Sequence, residues 1–177
     1  MTEENLQMVV TGLGGQGVIL LTRIIGQWAL LEGHGVLATE THGMATRGGS
    51  VTAHIKIGQH HFPLVAKGNA QVAIALAPGE EGRAKEYLAP QGILLTNREG
   101  EAQEKVWPIQ ATRIATEELG SPLFANLIML GVLGRKILNT PRERLLEALK
   151  EVTNPKYLKD NSRALELGYK EAGNATT

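Results

Sequence analysis

Gly12, Gly14 and Gly17 satisfy the pattern G-x-G-x-x-G, with an apolar β-branched run before them and a helical apolar period after them. In that setting Gly12 permits a tight turn, Gly14 lets a ligand come close to the backbone, and Gly17 lets the helix pack on its strand. The first turn of a helix has N–H groups without intrahelical partners and about half a positive charge, so a phosphate or carboxylate is the natural guest. Three readings are open at this point. The turn holds a dinucleotide, with Glu40 on a ribose hydroxyl; it serves another ligand or a protein partner; or its glycines only allow close packing. Glu40 lies 23 residues past Gly17, later than the usual acidic residue, and the dinucleotide pattern does not demand Gly15 or Gln16.

A second stretch, Arg47-Gly48-Gly49-Ser50, offers a planar guanidinium fork and unobstructed backbone N–H groups. Placed after the second strand, it is expected on the same rim as the first turn. His42 in the same segment could carry a proton or serve as a surface residue. His60 and His61 are adjacent and would point to opposite faces of a strand, a poor metal site. Asn126 interrupts an apolar helix and, if buried, needs a hydrogen-bonding partner worth about 1–3 kcal/mol. Gly131 and Gly134, and later Asn161, Ala164, Leu165 and Gly168, put small and polar residues on helix faces. They point to tight helix contact or to a neighbouring subunit.

The elements that must position these groups read as one α/β domain spanning 1–177. At 177 residues such a domain buries about 70% of its unfolded surface. Met8 to Thr11 is a buried strand, Gln16 to Glu32 an amphipathic helix closed by Gly33, and Val36 to Glu40 a second strand: a β-α-β unit. Val51 to Ile57 alternates apolar and polar residues and is expected to turn at Gly58–His61 into Phe62–Val65 as a hairpin, making the sheet mixed. Val72 to Ala77 and Ile93 to Thr96 are further strands, with Val106 to Ile109 at an edge because Pro108 cannot donate to a ladder. Glu80 and Glu81 suit the N-terminus of a helix. Ser121-Pro122, a Thr140/Glu143 capping box and Asn154-Pro155 open the C-terminal helices. The fold class is a three-layer, Rossmann-like α/β domain with a mixed, mostly parallel sheet and a helical C-terminal part.

Composition narrows the chemistry. There are 18 basic and 18 acidic side chains and no charge block, which argues against nucleic-acid binding. The apolar run around Leu127–Leu133 is far short of the roughly 20 residues a membrane span needs. With an acidic, polar start, the chain is expected to be cytoplasmic. It has no cysteine, so it offers no thiolate nucleophile and no cysteine ligand for zinc or an iron–sulfur cluster. No Ser-His-Asp set and no metal-ligand spacing is evident, and no residue is assigned a catalytic role.

Taken in order, Gly12-x-Gly-Gly-Gln-Gly17, Glu40-Thr-His-Gly-Met-Ala-Thr-Arg-Gly-Gly-Ser50, Asn126 with Gly131, and Asn161 with Gly168 resemble the γ-type subunit of the 2-oxoacid:ferredoxin oxidoreductases. Within that family the 41–50 stretch is most similar to the β subunit of indolepyruvate oxidoreductase. Pyruvate and 2-oxoglutarate members more often carry Tyr-Gly-x-x-x-Arg-Gly-Gly, and Thr46 stands where glutamine is commoner. The resemblance spans about residues 7–172. It implies a subunit, inactive alone, of a thiamine-diphosphate enzyme that converts an aryl or other 2-oxoacid to acyl-CoA and CO2 and passes electrons to ferredoxin. Thiamine diphosphate, Mg and the iron–sulfur clusters would sit in a larger partner subunit. Gly12, Gly14, Gly15, Gln16, Gly17, His42, Arg47, Gly48, Gly49 and Asn126 would stand at a shared cleft, facing coenzyme A or the partner subunit. The alternative is a Rossmann-like regulatory domain that senses NAD.

Overall fold

The computed structural model describes residues 5–42 and 48–174. Six strands, β1 (Asn5–Leu13), β2 (Val36–His42), β3 (Ser50–Gly58), β4 (Ala70–Ala75), β5 (Leu88–Asn97) and β6 (Val106–Ile109), form one sheet in the order β2-β3-β1-β4-β5-β6. β1, β4, β5 and β6 are parallel, and β3 runs antiparallel to both β1 and β2. The sheet is therefore mixed, as expected. Pro108 lies in the outermost strand, where its missing N–H breaks no central ladder.

Helices α1 (Val18–Leu31), α3 (Ala111–Leu119), α4 (Ala125–Lys136), α5 (Arg142–Val152) and α6 (Leu158–Asn174) gather on one face. Met8, Val10, Ile55, Val72, Ile74 and Leu95 of the sheet bury against Leu21, Ile25, Ile128 and Leu149 of these helices. The helix α2 (Glu81–Tyr87) covers the other face, where Ala84 meets Ala73, Ala75 and Leu94. That face is finished by the segment 59–69, whose Val65 packs beside Val9, Ala70 and Tyr87. Among the described residues no helix is long and apolar enough to cross a membrane.

Three sequence expectations change. β1 and β2 run the same way, but β3 lies between them, so the first forty residues are not a β-α-β unit of neighbouring strands. The expected hairpin of 51–57 with Phe62–Val65 is absent, and His60 and His61 sit at no hairpin tip. Both edges of β3 are already occupied by β1 and β2, leaving the later segment nothing to pair with. It crosses the sheet face instead, held where the Val65 N–H donates to Nδ1 of buried His54 at 3.4 Å. Burial, with Lys56 adding to it, lowers the His54 pKa and keeps the ring a neutral acceptor. Finally, the Thr140 hydroxyl caps no helix. It accepts the indole N–H of buried Trp28 at 3.1 Å, a donor that needs a partner once desolvated.

Candidate functional site: the glycine rim

The turn 14–17 joins the carboxyl end of β1 to α1. Gly15 (φ 94°) and Gly17 (φ 78°) both occupy the left-handed region, where a side chain would be strained. A Cβ on Gly12 would meet Val18 Cγ2 at 2.8 Å and Leu76 Cβ at 3.2 Å, so this position turns tightly against β1's neighbours. Gly17 behaves otherwise than expected. Its close neighbour is the Asn126 side chain on α4 rather than the strand. The Asn126 amide donates to the Gly17 carbonyl at 3.3 Å, the same oxygen that accepts the first α1 bond from Leu21 at 3.0 Å.

Gln16 closes the turn from within. Its Oε1 accepts the Leu13 N–H at 2.7 Å, and its Nε2 reaches the Leu76 carbonyl at 3.5 Å just beyond β4. Its amide is thereby committed to backbone and braces the loop. The second motif meets the first directly: the Gly14 N–H donates to the Gly49 carbonyl at 3.0 Å, and a Cβ on Gly14 would stand 3.6 Å from the Gly48 nitrogen. Gly12, Gly14, Gly15, Gln16, Gly17, Gly48, Gly49 and Asn126 thus converge on one rim. Arg47 lies outside the described residues. His42 is placed only by its backbone, at the end of β2 opposite Val51.

The rim opens into two adjoining hollows along the carboxyl ends of the parallel strands. One has a volume of 530 Å³ and includes Gln110, Arg113 and Glu117; the other is 220 Å³ and includes Gly15, Leu123 and Asn126. Gln16, Leu76, Asn97 and Thr112 line both. The crevice beyond strand carboxyl ends is where open α/β sheets take ligands. Asn97 and Thr112 were missed in the sequence. Asn97 donates to the Leu76 carbonyl at 2.9 Å and to the Thr112 hydroxyl at 2.7 Å, and accepts the Thr112 N–H at 3.0 Å. The signal for Asn97 was a polar residue ending an apolar strand on the same edge as Gly12.

Arg98 borders the larger hollow with its charge engaged. Its Nε donates to Glu81 at 2.6 Å, and Thr96 donates to the same carboxylate at 2.6 Å. Burial pushes the Glu81 carboxyl up, but the bonds from Thr96 and Arg98 outweigh it and hold the group below its ordinary value. Arg113, in contrast, has no ion-pair or hydrogen-bonding partner among the described residues and stands exposed on the wall.

Glu40, the residue on which a dinucleotide reading depends, sits on the outermost strand opposite Ala53. Two strand spacings, about 9–10 Å, separate it from β1. The strands beside β1 are β3 and β4.

Residues 7–171 match the family described as pyruvate ferredoxin/flavodoxin oxidoreductase. The chain belongs to this family. As a γ-type member of the pyruvate ferredoxin/flavodoxin oxidoreductases, it is 34% identical to indolepyruvate oxidoreductase subunit IorB of Archaeoglobus fulgidus, over 94% of this chain and 95% of that one. The fold matches the keto/oxoacid ferredoxin oxidoreductase γ subunit of Geobacter sulfurreducens with a TM-score of 0.80 at 20% identity, covering 96% of this chain and 99% of that one. It also matches part of the 2-oxoglutarate:ferredoxin oxidoreductase of Magnetococcus marinus, solved with 2-oxoglutarate, coenzyme A and succinyl-CoA bound. There the TM-score is 0.79 at 21% identity, over 98% of this chain and 32% of that one.

Proposed function

We propose that this chain is the non-redox subunit of a thiamine-diphosphate-dependent 2-oxoacid:ferredoxin oxidoreductase acting on indolepyruvate or another aryl pyruvate. Its glycine rim forms one wall of the cleft that receives coenzyme A, and the larger subunit forms the rest. The overall reaction consumes the 2-oxoacid and CoA, releases CO2 and acyl-CoA, and delivers two electrons to ferredoxin. Thiamine diphosphate with Mg supplies the decarboxylating chemistry in the partner, and iron–sulfur clusters there carry the electrons.

The observation that carries this reading is the Gly14–Gly49 hydrogen bond, which seats a second glycine loop on the turn at the N-terminus of α1. The rim presents small residues, backbone donors and a helix N-terminus, which suit the phosphates of CoA. Leu13, Ile19 and Leu123 stand exposed around it, consistent with a wall that a partner covers. The relationship to an indolepyruvate oxidoreductase subunit supports the substrate class, and a structural neighbour that holds CoA supports the ligand.

Co-expression with a larger subunit bearing cysteine-rich ferredoxin-like motifs tests the reading. The pair is expected to reduce ferredoxin from indolepyruvate only with CoA present, and the purified chain alone to be inactive. Turnover by the chain alone would overturn it, as would calorimetry showing tight NADH binding and none for CoA.

A further inference from the structure

We infer that Glu80 is a positioning residue that clamps the Gly48–Ser50 backbone onto the glycine turn. The kinetic part of this inference rests on the CoA reading above, while its structural part does not. Glu80 closes the short 3₁₀ turn Pro78–Glu80 that follows β4, and only 6% of its surface is exposed. Standing at the N-cap of α2, its carboxylate could accept from that helix's own first N–H groups, yet it makes no such cap. It turns instead toward β3. Oε1 accepts the Ser50 hydroxyl at 2.6 Å and Oε2 accepts Arg83 Nε at 3.2 Å.

The same residue is tied to β1 through its main chain. Its carbonyl accepts from the fully buried Thr11 hydroxyl at 3.2 Å, and the Thr11 carbonyl accepts the Leu76 N–H at 2.8 Å. One acidic residue therefore joins the carboxyl ends of β1 and β4 to the first residue of β3. Ser50 pairs with Leu13 across β1 and β3, and its neighbour Gly49 supplies the carbonyl that holds Gly14. A buried carboxylate is tolerated only with such partners, so the geometry is set by all of them together. The clamp fixes where the Gly48–Gly49 backbone sits relative to the turn, and hence the width of the rim.

The test uses Glu80→Ala, Ser50→Ala, Ser50→Thr and the double variant Glu80→Ala/Ser50→Ala. In the full chain, the Gly14 amide is expected to exchange about tenfold faster in both single disruptions, because its acceptor is no longer held. Ser50→Thr, which keeps the hydroxyl, is expected to match the parent, and the double variant to match either single. An unchanged Gly14 amide overturns the clamp, as does Ser50→Thr behaving like Ser50→Ala, or effects that add. Should Glu80→Ala fail to fold, the half-exposed Ser50 variants decide alone. In the co-expressed complex the disruptions should raise the KM for CoA with kcat unchanged. If Gly14→Ala raises that KM and the clamp variants do not, the clamp has no bearing on the site and the inference fails. If Gly14 exchange accelerates while no variant, Gly14→Ala included, moves the KM, the clamp stands and the CoA reading falls.

Discussion

The glycine turn and the seam between α4 and α6 are built from the same residue types and serve opposite ends. Both combine closely spaced glycines with a buried asparagine, Asn126 in one case and Asn161 in the other. At the seam, a Cβ on Gly131 would collide with the Leu165 carbonyl, and one on Gly168 with the Ile128 carbonyl. The space each glycine leaves is filled by backbone of the same chain. At the turn, Gly15 has nothing within 4 Å of where a Cβ would stand, and Gly14 has only ordinary contact with the facing loop. Absence of a side chain signals close approach. At the seam a neighbouring helix takes that space, and beside Gly15 it stays open.

Alanine at each place tests this contrast. Gly168→Ala should have the largest effect, because rigid backbone lies on both sides. Overpacking there is expected to cost roughly 3 kcal/mol. That would lower the midpoint in a thermal melt by roughly 10 °C; a change of a degree or two would show that the seam is slack. Gly17→Ala should follow, destabilising by about 2 kcal/mol through its positive φ and its clash with Asn126. Part of that loss should be recovered in an Asn126→Ala background, and chemical denaturation of the two singles and the double measures how much.

Gly14→Ala reverses the pattern. Its φ is not positive and its nearest contact is 3.6 Å. Stability should hold within about 0.5 kcal/mol, while the KM for CoA in the complex rises about tenfold as the methyl shields the rim, near 1.4 kcal/mol. An unchanged KM would reduce the turn to packing.

The smallest effect belongs to Tyr169 beside the seam. Burial, with the Glu143 carboxylate adding to it, pushes its phenol up to about 12, and its hydroxyl donates to the Thr140 carbonyl at 2.9 Å. Because the folded value exceeds the unfolded one near 10, this contribution is complete below about pH 10. It is lost as pH climbs through the folded value of about 12. Denaturation across that range should show the decline, and Tyr169→Phe should abolish it at a cost of about 1 kcal/mol.

What was legible in the sequence is what local pattern encodes. The run Met8–Thr11, the glycine turn and the helix from residue 18 follow from period and turn chemistry alone, as does the edge strand marked by Pro108. Ser121 does cap, accepting the Leu123 N–H at 3.3 Å. The failures are all long-range. Alternation over Val51–Ile57 suggested a hairpin with Phe62–Val65, but β3 is wedged between β1 and β2, and the later segment crosses the sheet face, where its Val65 meets buried His54. Nothing local tells a strand which partners will take its edges. Likewise Glu80 looked like a helix-end charge, and its partner Ser50 stands 30 residues earlier. Arg47, the cation expected beside Gly48, lies outside the described residues, so the rim is defined here by backbone.

The Asn126–Gly17 hydrogen bond spans 109 residues. A growing chain therefore exposes its glycine turn long before the side chain that steadies it has been made. Contacts of such separation form slowly, after the intervening loops have been closed. The first motif to emerge thus waits for α4, and a fragment ending before that helix would carry the signature without the finished rim.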